Sequence, residues 1–184
     1  MSLMEKLGTP IGSYAPDFEL PGIDDRVHHL SRYLEQCRGV GVIFMCNQCP
    51  YVFSYLERLK QIQCQFQNQG FSLIGINAND PNQDEAESFK NMKQFALVYK
   101  LNFPYLWDST QDVALGFGAE KTPEAFLIDD VGILRYRGQI DDNAQEPKGV
   151  QVHYLQNAIA ALLSGEEVSP KWTKPIGSPL KWRL

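Results

Sequence analysis

The sequence predicts an α/β fold built around one βαβ unit. Two apolar runs with a helical stripe between them carry this reading. Residues 40–46 (Val-Gly-Val-Ile-Phe-Met-Cys) are apolar at every position that bears a side chain, as in a strand buried on both faces. From Pro50 the period becomes helical: Val52, Tyr55, Leu56, Leu59, Ile62 and Phe66 share one stripe, and Glu57, Arg58 and Lys60 lie off it. Residues 71–77 (Phe-Ser-Leu-Ile-Gly-Ile-Asn) form the second apolar run. Strand, helix and strand within about 40 residues make a βαβ unit, whose crossover is almost always right-handed.

The other elements follow in order. Residues 15–20 alternate apolar and polar, meet Pro21-Gly22, and are answered by residues 27–30, which predicts an N-terminal hairpin. Ser31 is placed to cap a short helix through Cys37, ended by Gly39. Pro50 suits the first turn of the main helix, where its missing N–H has no intrahelical partner, and Gly70 is placed to end it. After the break at residues 79–82, residues 84–100 read as a second helix with acid in its first turn. Residues 103–107 form a short apolar strand, and Asp108-Ser109-Thr110 can cap a helix through Leu115. Strands over 125–129 and 133–140 are joined by Asp130-Val131-Gly132, a hairpin signal, and a last amphipathic helix spans 150–163. In the tail, residues 166–184, three prolines argue against regular structure, while Trp172 and Trp182 are expected to pack it onto the body.

Composition excludes several classes. The chain has 184 residues, enough to bury a core without disulfide staples. With 17 basic and 22 acidic residues its net charge is −5, so no global basic field draws in nucleic acid or an anionic membrane. No apolar run approaches the roughly 18 residues of a membrane helix. The first eight residues lack the apolar stretch of a signal peptide, so the protein is expected in the cytoplasm, and Met1-Ser2-Leu3 before Met4 has the look of a cloning remnant.

There are four cysteines: Cys37, Cys46, Cys49 and Cys64. Only Cys46-Asn47-Gln48-Cys49 forms a C-x-x-C, and the three histidines add no ligand spacing, so a structural zinc site is disfavoured. The pair lies at the seam between a buried strand and an amphipathic helix. The first cysteine, Cys46, is expected at or just before the helix N-terminus, where free N–H groups and the helix dipole favour an anion and lower its pKa below the roughly 8.5 of a free cysteine. The second cysteine is one turn away, near enough for a disulfide. The chemistry expected is a reversible dithiol–disulfide exchange.

These residues resemble the thioredoxin superfamily, and within it the AhpC/TSA, or redoxin, branch. Residues 12–20, with Ala15-Pro16-Asp17-Phe18 at their centre, look like the redoxin N-terminal signature. Cys46-Asn47-Gln48-Cys49-Pro50 occupies the active-site slot in a C-N-x-C-P form, and Thr122-Pro123, opening a strand, looks like the Thr–cis-Pro element. The resemblance covers about residues 10–165, between an N-terminal segment (1–9) and the tail (166–184). It implies a thioredoxin fold: a mixed central sheet with helices on both faces, an N-terminal hairpin extension and a C-terminal tail. It also implies that Thr122 and Pro123, with Asn47 and Gln48, shape the substrate groove. Cys46 is expected to attack and Cys49 to resolve, with Glu124 as a proton acceptor for Cys49. No cofactor is expected beyond the Cys46–Cys49 disulfide. The partners implied are a protein or small-molecule disulfide substrate and an upstream dithiol reductant, in cell redox homeostasis.

The chain also departs from related patterns. The peroxiredoxin spacing P-x-x-x-[T/S]-x-x-C fits neither cysteine: counting back meets Ile43 and Gly39, or Cys46 and Val42. A peroxiredoxin-like thiol peroxidase is therefore the second expectation, and a C-x-x-C metal-binding or interaction module, such as a Cu(I) clamp, the third. Close relatives carry a cysteine in a tail reading G-C-S-x-K-W; here the tail reads Gly177-Ser178-Pro179-Leu180-Lys181-Trp182, so it is expected to supply no redox group. Cys37 and Cys64 read as bystanders. Cys64 lies about 15 residues beyond Cys49 on the same helix, roughly 22 Å along its axis. His28-His29, His153, Arg135 and Arg137 read as solvent-facing groups.

Overall fold

The computed structural model describes residues 8–184. The first seven residues, which include the expected cloning remnant and most of the 1–9 segment, lie outside the described residues.

The centre is strand β3 (Gly39–Phe44), fully buried, between β4 (Phe71–Asn77) and β7 (Glu124–Asp129). Flanked by β5 (Tyr105–Trp107) and β8 (Leu134–Gly138), these form one sheet in the order β5-β4-β3-β7-β8. β3, β4 and β5 run parallel, and β7 is antiparallel to both β3 and β8, so the sheet is mixed as expected. Side chains alternate between two apolar layers. Ile43, Leu73 and Leu127 face α2 (Pro50–Phe66), α3 (Phe89–Val98) and α5 (Tyr154–Leu163). Val42, Phe44, Ile76 and Phe126 face α1 (Leu30–Gln36) and α4 (Asp112–Phe117). The N-terminal hairpin pairs β1 (Glu19–Pro21) with β2 (Val27–His29). All six residues of the α2 stripe are buried.

Several boundaries move, each for a local reason. α1 starts at Leu30 behind His29, so Ser31 lies inside the helix and caps nothing. The helix expected over 84–100 is broken. A single 3₁₀ turn, Glu85–Glu87, precedes α3, and Ser88 caps α3 by accepting the Asn91 N–H. α5 begins at Tyr154, four residues later than expected. Arg137 is interior: its guanidinium lies against buried Glu124 at 3.2 Å and donates to the Gly118 carbonyl. His28 is held between Asp24 and Tyr33, at 2.9 and 2.7 Å.

The tail contains a strand despite its prolines. β9 (Ser178–Pro179) pairs antiparallel with β6 (Lys121–Thr122). Pro179 sits opposite Lys121, in an edge position where its missing N–H is tolerated. The tail packs through Val168, Leu180 and half-buried Trp182, whereas Trp172 is 56% exposed. Two anchors bracket the strand. On one side the Thr173 N–H donates to Arg137 O, the Arg137 N–H to Lys171 O and the Gln139 N–H to Thr173 Oγ1. On the other, Leu180 N–H donates to Glu120 O and Lys181 N–H to the Asn79 side chain.

Leu59 is fully buried on the α2 stripe. Leu59→Ala is expected to cost about 2–5 kcal/mol, by lost transfer energy plus a residual cavity. Glu57→Ala, on the solvated face, should cost less than about 0.5 kcal/mol. Urea midpoints at constant m-value check both.

Candidate active site

β3 leaves the sheet at Phe44, and the chain turns through Met45–Gln48 before α2 begins at Pro50. Cys49 is therefore the N-cap of α2, and Cys46 lies three residues back in the turn. This placement decides which sulfur faces the helix end. Cys46 and Cys49 are 2% and 1% exposed, and both are free thiols within hydrogen-bonding reach of one another.

Cys49 collects the groups that favour its ionised form. The neighbouring Cys46 thiol weighs most, with the Ser178 hydroxyl, the start of α2 at Val52 and Thr122 adding to it, although Cys49 Sγ makes no cap hydrogen bond to the helix. They outweigh burial and hold Cys49 well below the free-thiol value. Its Sγ lies 3.0 Å from Ser178 Oγ and 3.2 Å from the Thr122 carbonyl. Cys46 is shifted the other way. Its hydrogen bond to Cys49 is the largest cause, followed by burial and the charge of Glu87. Its one compensating neighbour is Thr122 Oγ1, at 3.4 Å. The expectation set the helix end at Cys46; the structure sets it at Cys49. α2 starts one residue after Cys49, so the helix end stands at the second cysteine.

Glu87 holds the turn in place. Its two carboxylate oxygens accept the N–H groups of Asn47 and Gln48, each at 2.9 Å, and one also accepts from Asn77 Nδ2 at 2.9 Å. Glu87 is fully buried. Asn47 is bound within the body: Nδ2 donates to Ala86 O, and Oδ1 accepts from Tyr105 OH at 2.8 Å. Only Gln48 is exposed, beside Phe53 and Tyr99. Of the two residues expected to line a groove from this turn, Asn47 supports the turn and Gln48 alone meets solvent.

Thr122-Pro123 lies against the pair as expected, and its peptide bond is cis; Ser169-Pro170 is a second cis bond. The Thr122 backbone edge, expected to face a substrate, is occupied by Ser178 of β9. Glu124 is not placed to take a proton from Cys49. Its Oε1 accepts the N–H groups of Glu120 and Lys121, at 2.9 and 3.2 Å, and Oε2 faces Arg137. Its carboxylate anchors the loop that carries Pro123, and burial raises its pKa. Cys64 is exposed on the far part of α2, and Cys37 is half-buried at the end of α1. Among the described residues no group of three or more His, Cys, Asp or Glu side chains is placed to hold a metal, and no helix is long and apolar enough to cross a membrane.

Glu87 and Ser178 escaped the sequence reading. Glu87 was hidden inside an apparent first turn, although Ser88 three residues before Asn91 is an N-cap signal that ends the preceding turn there. Ser178 stood at the cysteine position of the tail pattern, which was the available signal.

A mixed sheet with helices on both faces and a dithiol against a cis-proline loop defines a thioredoxin-like oxidoreductase. The chain belongs to the AhpC/TSA family, whose model matches residues 11–137. It is 32% identical to the thiol-disulfide oxidoreductase ResA of Geobacillus thermodenitrificans over 136 residues, 71% of this chain and 70% of that one. It is 27% identical to the thiol:disulfide interchange protein DsbE of Escherichia coli over 165 residues, 89% of this chain and 75% of that one. Among solved structures, a hypothetical protein from Sinorhizobium meliloti superposes with a TM-score of 0.89 at 31% identity, covering 96% of this chain and 97% of that one.

Neutralising Glu87 removes a negative charge facing Cys46. In a Cys49→Ser background, Glu87→Gln is expected to lower the pH midpoint of Cys46 ionisation, followed by thiolate absorbance at 240 nm. An unchanged or raised midpoint contradicts this placement of charge.

Proposed function

We propose that the protein is a thiol–disulfide oxidoreductase whose working couple is Cys46/Cys49, with Cys49 as the resting thiolate. The observation that carries this is the position of Cys49 as the N-cap of α2, with its Sγ 3.0 Å from the Ser178 hydroxyl. The Cys49 thiolate attacks a substrate disulfide, forms a mixed disulfide and releases one thiolate, which takes a proton. Cys46 gives up its proton and attacks Cys49 Sγ. This closes the Cys46–Cys49 disulfide and releases the second half of the substrate as thiolate. An upstream dithiol returns two electrons and restores the pair. The substrate class is a protein or small-molecule disulfide, and the redox group is the pair itself. The names of the ResA and DsbE relatives support disulfide exchange. We extend the reading to cell redox homeostasis in the cytoplasm.

One observation favours a second reading, hydroperoxide reduction. Ionisation is favoured at the second cysteine, nearest the position at which the reactive cysteine of peroxiredoxins aligns. There the Cys49 thiolate attacks the O–O bond, giving a sulfenic acid and, after protonation, an alcohol or water. Cys46 then condenses with the sulfenic acid and releases water. Stopped-flow mixing of the reduced protein with hydrogen peroxide separates the readings. Oxidation no faster than that of free cysteine leaves disulfide exchange alone.

The roles of the two sulfurs are tested by trapping. Cys46→Ser, offered a disulfide substrate, is expected to accumulate a mixed disulfide through Cys49, because the resolving thiol is gone. Cys49→Ser should trap none. Mass spectrometry of the adducts reads both, and the opposite pattern assigns the attack to Cys46.

A further inference from the structure

We propose that Ser178, delivered by the C-terminal strand, is a third active-site residue: its hydroxyl donates to the Cys49 thiolate, so that reactivity at Cys49 depends on the tail being seated. This rests on the assignment of Cys49 as the thiolate.

Ser178 is 129 residues from Cys49 in sequence, yet their Oγ and Sγ atoms are 3.0 Å apart. A serine hydroxyl is both donor and acceptor, so it accepts from the thiol and rotates to donate once the sulfur is ionised. A hydrogen bond to a charged partner is among the stronger ones, more so where water is excluded, and Cys49 is 1% exposed.

The tail is built to deliver that hydroxyl. β9 pairs with β6 so that Ser178 stands opposite Thr122, the residue that touches both sulfurs. Gly177 allows this approach, because a Cβ there would lie 2.4 Å from the Thr122 carbonyl oxygen and 2.8 Å from its carbon. Both are rigid backbone atoms beside cis-Pro123. Beyond the strand, Leu180 is buried and Lys181 Nζ pairs with Asp84 at 2.8 Å. The tail also occupies the free edge of β6, the backbone that a polypeptide substrate would otherwise pair with. The titratable and charged groups around the couple are Cys46, Glu87 from the turn before α3, Tyr105 from β5, and Lys181 with Asp84 at the tail's anchor. Ser178 is uncharged, so its removal changes the donor set at Cys49 without altering these charges.

The test uses the reduced full-length protein. Iodoacetamide modification is followed against pH, with the modified cysteine assigned by peptide mapping. In the parent, Cys49 is expected to react first, with a midpoint below that of a free thiol. Ser178→Ala should raise that midpoint by about one pH unit, or about tenfold less thiolate at a pH below both midpoints. Ser178→Thr should restore the parent profile, which a purely structural role for the side chain would not require. Gly177→Ala keeps the hydroxyl but unseats the strand, and should shift the midpoint in the same direction as Ser178→Ala. A Ser178→Ala protein that stays folded by circular dichroism and keeps the parent midpoint overturns the proposal. So does a Gly177→Ala protein with the parent midpoint, if Ser178→Ala fails to fold. Should Cys46 react first in the parent, the assignment of Cys49 fails, and the proposal with it.

Discussion

The site depends on where the N-terminus of α2 falls. β3 is buried on both faces and pinned between β4 and β7, so its exit point from the sheet is fixed. Pro50 then opens the helix at the first position that tolerates a missing N–H, and leaves Cys49 as the last residue outside it. The positive end of the helix dipole is thereby set nearest one sulfur, Cys49. The strand–helix seam alone does not distinguish two cysteines three residues apart; the position of the cap does.

The surroundings strengthen that asymmetry. Glu87 satisfies the backbone N–H groups of Asn47 and Gln48, which would otherwise be unpaired donors beside the buried pair. The same carboxylate sets a negative charge against Cys46, which opposes its ionisation. On the other side Thr122 sets its hydroxyl against Cys46 and its carbonyl oxygen against Cys49, which partly offsets the asymmetry, and Glu124 holds the Glu120–Lys121 backbone that leads into it. One buried carboxylate thus supports each of the two loops that meet at the couple. The tail closes the arrangement along the edge of β6, and its serine is the polar side chain it brings to the couple.

Much of this was legible in the sequence. The α2 stripe and the two-faced burial of β3 follow from periodicity, and the mixed sheet and the meeting of Thr122-Pro123 with the C-x-x-C from the resemblance to the thioredoxin superfamily. What was hidden depends on long-range convergence. Glu87 reaches the turn from 40 residues away, and its pattern could not be told from a solvated first turn until Ser88 was seen to cap α3 separately. Glu124 is adjacent to Pro123 in sequence, but its strand neighbours turn it toward Arg137 and away from the sulfurs. Two tryptophans pointed to a packed tail, and Trp182 does pack half-buried beside the buried anchors Leu180 and Val168, but Trp172 is 56% exposed. Aromatic content shows that a segment has apolar surface to bury, not which residue buries it.

The central claim is that the two thiols ionise in the order Cys49, then Cys46. Site-resolved titration tests it most directly, by following the ¹³Cβ shifts of both residues in the reduced, uniformly labelled protein from pH 4 to pH 11. Cys49 is expected to titrate well below the free-thiol range of about 8.5 and Cys46 above it. Cys46 titrating first, or both thiols moving together near the free-thiol value, would contradict the account.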